Sequence, residues 1–121
     1  MGVYDIQTLL KNKPTAQVLK ALHLNTRLSR VAIARLINAS PSTISAIVEK
    51  LEKQGIVYPA DTEDVTVGAG RKPVLMEIDP DAFYLIGIDV GIDGVAVLMT
   101  NSKGEVIARE TTTTDLKTDP P

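Results

Sequence analysis

Apolar residues recur at helical spacing through the first half of the chain and at strand spacing through the second. Val18, Leu19 and Leu22 fall at i, i+1 and i+4, one stripe of a helix that opens near Pro14, because proline is pre-set for the first helical turn. Asn25-Thr26 interrupts that pattern. Ser29 then reads as the N-cap of a second helix whose Ile33, Leu36 and Ile37 face inward, with Ala32 and Ala34 small enough for a neighbouring helix to approach. Asn38 stands where the chain must turn sharply, and asparagine tolerates left-handed backbone better than most residues. The third helix has the clearest start. Ser40 caps it, Pro41 occupies its first turn, and Ile44, Ile47, Val48 and Leu51 form a single stripe to bury. Gly55 ends it as a glycine just past a helix does, after Lys53 at the negative end of the helix dipole.

Ile56–Tyr58 and Val74–Ile78 read as short strands, bridged by Pro59–Pro73, a polar loop with acids early and Arg71-Lys72 late. Two strands joined by such a loop directly after the third helix make a wing. Pro80 marks a boundary, and beyond it Tyr84–Val90, Gly94–Thr100 and Glu105–Thr112 are strand candidates with links short enough for antiparallel hairpins. Tyr84–Ile88 is almost continuously apolar, which suits a strand covered on both faces. The polar residues after Thr112 supply no cover, so the second unit reads as unfinished. The expected fold class is α+β: a winged helix-turn-helix over residues 1–80 and a β-meander over 81–121.

The overall charge of −2 says little, but its distribution says more. Residues 1–73 hold ten Lys/Arg against six Asp/Glu, a net of +4, whereas residues 74–121 hold three against nine, a net of −6. Polyanion binding is therefore expected in the first half alone. Cysteine is absent, which excludes disulfides and thiolate metal sites. No stretch resembles a secretory signal, and the longest apolar runs fall far short of the ~20 residues that span a bilayer. A soluble cytoplasmic protein without membrane association is the expectation. With three Tyr, one Phe and no Trp, base stacking on single strands is disfavoured.

The third helix carries the candidate chemistry. The major groove of B-form DNA admits one α-helix, and Ser40, Ser42, Thr43 and Ser45 are small hydroxyl residues at the end that would enter it. They suit phosphates or base edges, and the helix N-terminus itself favours a phosphate. The bland alternative is an ordinary helix start. Arg71 and Lys72, in Gly68-Ala69-Gly70-Arg71-Lys72-Pro73, suit the narrow, electronegative minor groove; the alternative is a solvated hairpin tip. Arg30, Arg35 and Lys50 are weaker candidates for phosphate contacts, equally compatible with solvated helix faces. Gly68-Ala69-Gly70 lacks the third glycine and following helix of a nucleotide cradle, and His23 has no partner imidazole or thiol nearby, so no metal is expected. Asp89-Val90-Gly91 admits two readings: a carboxylate poised to hold a metal-bound phosphate, or a turn after a strand.

Taken in order and spacing, these segments resemble one family. Asn12…Val18-Leu19, Leu28-Ser29-Arg30…Ile33-Ala34, Ser40-Pro41-Ser42-Thr43-Ile44-Ser45…Ile47-Val48…Leu51 and Gly55-Ile56-Val57 are followed by Gly68–Pro73…Leu75, Ile78-Asp79-Pro80 and Leu85–Gly91. The series is similar to the repressors of the ROK group (repressors, open reading frames and sugar kinases). The resemblance implies a DNA-binding head followed by an actin-like, ribonuclease H-like sugar-sensing domain, of which this chain covers only the first meander. It implies a repressor of carbohydrate-use genes that binds palindromic double-stranded DNA as a homodimer or tetramer. It also implies release by a sugar or sugar phosphate bound through missing C-terminal residues. Sugar kinases of the group carry Asp-x-Gly-Gly-Thr where this chain has Asp89-Val90-Gly91-Ile92-Asp93, so Asp89 and Gly91 read as a degenerate phosphate-loop remnant. Asp93 would repel a phosphate. No cofactor and no enzymatic activity are therefore expected. The alternatives are a sugar kinase with a winged-helix extension, or a winged helix that binds protein.

Overall fold

A computed structural model describes residues 6–60 and 73–114. The chain divides into two compact units at Asp79/Pro80. Among the described residues the first contains four helices: α1 (Ile6–Lys11), α2 (Lys13–Asn25), α3 (Arg30–Ile37) and α4 (Pro41–Lys53). A small sheet of β1 (Arg27–Ser29), β2 (Val57–Ala60) and β3 (Leu75–Ile78) closes it, in the order β1-β3-β2 with both pairings antiparallel.

Each of the three longer helices begins where a side chain can satisfy its first N–H groups. Asn12 Oδ1 accepts from Thr15 N at 3.1 Å, Ser29 Oγ from Ala32 N at 3.1 Å, and Ser40 Oγ from Thr43 N at 3.3 Å. The ends of α3 and α4 are equally well defined. Asn38 adopts φ 53°, ψ 52°, and Ala39 N donates back to Ala34 O at 3.0 Å. Gly55 has φ 74°, and Ile56 N donates to Leu51 O at 2.9 Å. Both are Schellman closures, in which a left-handed residue lets the chain satisfy the last carbonyls and leave the helix axis. The left-handed role expected of Asn38 is thus found.

Val18 and Leu22 of α2, Ile33 of α3, and Ile44, Val48 and Leu51 of α4 meet Ile56, Val57 and Met76 in a core from which solvent is almost wholly excluded. Burying each such side chain contributes about 1.5–3 kcal/mol. Because all three major helices and the sheet contribute, this core fixes their mutual angles. The α4 stripe is as expected, with Ile47 half-buried at its margin. Leu36 is a correction: expected inside, it is 58% exposed. At 3.6 residues per turn it lies roughly 110° from the centre of the face that Ile33 and Ala34 bury, too far round to reach the core.

Two elements escape sequence reading. α1 is short, with Leu9 its only buried apolar side chain among those described. β1 has three residues and becomes a strand by pairing with β3, Arg27 opposite Glu77. That pair also forms an ion pair of 2.9 Å, Arg27 Nε to the nearly buried Glu77 Oε2. β2 runs through Pro59 to Ala60, farther than expected; Pro59 is tolerated because β2 is an edge strand with no outer partner among the described residues.

The second unit is an antiparallel meander of β4 (Leu85–Val90), β5 (Gly94–Thr100) and β6 (Val106–Thr113), in the order β4-β5-β6. Its β5–β6 link is held by buried polar groups. Asn101 Oδ1 accepts from Lys103 N and Glu105 N, both at 3.0 Å. Ser102 Oγ accepts from Phe83 N at 2.9 Å and lies within donating distance of the Pro80 and Phe83 carbonyls. The Asn101 bonds close the link itself, and the Ser102 bonds tie the segment that enters the unit to the hairpin. Every residue of β4 and β6 is exposed and β5 is half-buried throughout, so the near-continuous apolar run of β4 lies open.

Candidate nucleic-acid interface

The local sequence at Asn38-Ala39-Ser40 sets the geometry of the candidate interface. Asn38 turns the chain out of α3, Ser40 caps α4, and the two helix axes are bent by 119°. A helix-turn-helix joins its helices at about 90–120° through a short turn, so this pair has the required form. Two helices at that angle, held on a common core, present the N-terminal half of the second one outward.

The hydroxyl residues gather at that end. Ser40 Oγ lies 2.7 Å from Thr43 Oγ1 and 3.3 Å from Ser42 Oγ, all on exposed residues. Ser40 and Thr43 are therefore partly engaged in capping, while Ser42 and Ser45 face solvent. This end of α4 combines exposed small hydroxyls with the N–H groups of a helix N-terminus, donors that suit an anion or a base edge. Lys50 is exposed and makes no ion pair among the described residues. Arg35 is exposed on α3.

Arg30 is placed differently. One of its terminal nitrogens, Nη2, lies 3.6 Å from Glu52 Oε2 on α4, and its Nε is buried without a hydrogen-bond partner. Arg30 thus braces α3 against α4, and only part of its guanidinium faces outward. Glu49 and Lys53, which the sequence did not single out as site residues, are joined at 3.3 Å on α4. Their four-residue spacing was the available signal.

The wing strands are present as β2 and β3, with Val57 opposite Ile78 and Ala60 opposite Leu75. Gly68, Ala69, Gly70, Arg71 and Lys72, expected at the wing tip, lie outside the described residues. In the second unit, Asp89 is exposed on β4 opposite Ala96. Gly91 N donates to Gly94 O at 2.9 Å, and Thr114 donates through N to Asp93 O and through Oγ1 to Ile92 O, each at 3.2 Å. Gly91–Asp93 therefore closes a tight hairpin pinned to the end of β6. Among the described residues no group of three His, Asp or Glu could hold a metal, and no single helix is long and apolar enough to cross a membrane.

Comparison with known proteins agrees with this geometry. Residues 12–58 match the family of winged helix-turn-helix DNA-binding segments. The chain is 35% identical over 103 residues to a xylose repressor of Caldicellulosiruptor bescii, covering 85% of this chain and 25% of the relative. It is 31% identical over 107 residues to a xylose repressor of Bacillus spizizenii, covering 88% and 27% respectively. It therefore spans about a quarter of the length of these relatives. Among solved structures it resembles a ROK family transcriptional regulator, a homologue of the Escherichia coli Mlc protein, with a TM-score of 0.59 at 15% identity, over 80% of this chain and 24% of that one. That match speaks for the fold; the sequence relatives carry the kinship. Over the span it shares with them, the chain is similar to these repressors and carries a winged helix-turn-helix of the DNA-binding kind.

Proposed function

We propose that this chain is the DNA-binding part of a transcriptional repressor of sugar-use genes. The observation that carries the reading is the 119° bend between α3 and α4, with the hydroxyl-bearing start of α4 exposed. In this reading α4 lies in the major groove. Ser42 and Ser45 contact base edges or phosphates, while Ser40 and Thr43 hold the helix start that faces a phosphate. Lys50 and the outward part of Arg30 neutralise the backbone, and Arg71 and Lys72 of the wing enter the adjacent minor groove. The domain division follows: residues 1–80 bind DNA, and residues 81–121 begin a sugar-sensing domain in which Asp89 and Gly91 are remnants of a phosphate loop.

The relatives named xylose repressors make xylose the first effector to try, bound by the remainder of a longer cytoplasmic protein. A palindromic operator bound by a homodimer or tetramer fits the two-fold symmetry that such sites mirror. A kinase is the weaker reading, because Ile92-Asp93 stands where the sugar kinases of the group carry Gly-Thr, and the Asp93 carboxylate would repel a phosphate. The test is a gel-shift scan of overlapping duplexes from upstream of the gene, using the longest natural form of the protein with and without xylose. Retardation of one palindromic segment, relieved by a sugar, is the expected result. Retardation of none, or phosphorylation of a hexose from ATP, would overturn the reading.

A further inference from the structure

The outward face of α4 contains an acidic residue where a purely phosphate-seeking helix would have none. At about 100° per residue, Ser42, Ala46, Glu49 and Lys53 fall within roughly 60° of one another, opposite the stripe of Ile44, Val48 and Leu51 that faces the core. All four are exposed. The two carboxylates of α4 differ in setting. Glu52 turns toward α3 and pairs with Arg30, whereas Glu49 lies on the outward line, 65% exposed, with Lys53 one turn on at 3.3 Å.

A carboxylate facing DNA is repelled by phosphates, so it is compatible with binding only where it meets a donor. In the major groove the donors are the exocyclic amines of cytosine and adenine, and a carboxylate, which only accepts, suits cytosine N4. We propose that Glu49 is a specificity-determining residue of this helix, accepting a hydrogen bond from a cytosine amine. Ala46 lies beside it, short enough not to hold the helix away from the bases. Lys53 steadies the carboxylate and offsets its charge toward the flanking phosphates. The inference rests on the reading of α4 as the helix that enters the groove.

The test takes the 121-residue chain and a pool of random-sequence duplexes, with E49Q, E49A and K53A as variants and far-ultraviolet circular dichroism as the check on folding. The wild-type chain is expected to select a motif containing a fixed C·G pair. E49A should relax preference at that pair by roughly 5-fold or more, E49Q should shift it toward A·T, and K53A should weaken binding to all duplexes alike. If E49A and E49Q keep the wild-type motif and bind every duplex more tightly, the carboxylate is a repulsive charge only and the inference is overturned. Binding by the wild-type chain with no selected motif would overturn it too, leaving DNA binding intact. Failure of the wild-type chain to bind any duplex would overturn the DNA-binding reading itself.

Discussion

Thr26 occupies φ 68°, ψ −58° at the junction of α2 and β1, close to the geometry of a γ-turn that β-branched residues strongly avoid. A glycine adopts positive φ without steric cost, although it loses more entropy on folding. Relief of strain should exceed that loss, so T26G is expected to stabilise the fold by about 0.5–1 kcal/mol, read from urea unfolding; a lower midpoint would count against strain at this site. The hydroxyls of α4 separate by role at the same scale. S40A removes a cap and should cost about 1 kcal/mol of stability. S42A leaves the cap in place and should weaken DNA binding while stability stays within about 0.5 kcal/mol. Equal stability losses in the two variants would mean that Ser42 serves the helix alone.

At the scale of elements, the legible parts are those with local signals at both ends. α4 has Ser40 before it, Pro41 in its first turn and Gly55 after it, and the structure follows them closely. β1 is illegible because its three residues become a strand through Glu77, Met76 and Leu75, far along the chain. Leu36 is misread because an eight-residue helix offers too few positions to fix which way its apolar stripe points. In the candidate site, Ser40, Ser42, Thr43 and Ser45 announce themselves as a cluster at a capped helix start. The engagement of Arg30 with Glu52 cannot be foreseen, since it depends on the angle between two helices. The meander tests sheet geometry in the same way. A methyl group on Gly94 would overlap the Thr112 carbonyl oxygen on β6, backbone that cannot swing aside. G94A should therefore separate that end of β5 from β6, seen as reduced amide-exchange protection in residues 94–97 and 110–113. Retained protection would show that the strands can part and re-pair around a side chain.

Across the whole chain, the charge division and the open meander are the two features with consequences in solution. Ile86, Ile88 and Val90 of β4 are 62%, 65% and 74% exposed, and Val106 and Ile107 of β6 are about half exposed. Exposed apolar strands with unpaired edges drive association. Sedimentation of the 121-residue chain should show concentration-dependent self-association, reduced by I88K; a monomer at all concentrations would mean that these faces are not sticky. The electrostatic division bears on DNA. The first unit is basic and holds the helix-turn-helix, so affinity should depend on salt through that unit.

Whether α4 and the wing recognise DNA is decided by fluorescence anisotropy of this chain on a selected duplex and on its scrambled counterpart, each at two salt concentrations. Tighter binding to the selected duplex and a steep fall in affinity with salt are expected. When Arg71 and Lys72 are both replaced by alanine, the slope should drop by about 0.9 for each phosphate that is no longer neutralised. Equal affinity for the two duplexes, or affinity indifferent to salt, would contradict the reading of α4 and the wing as a DNA-recognition surface.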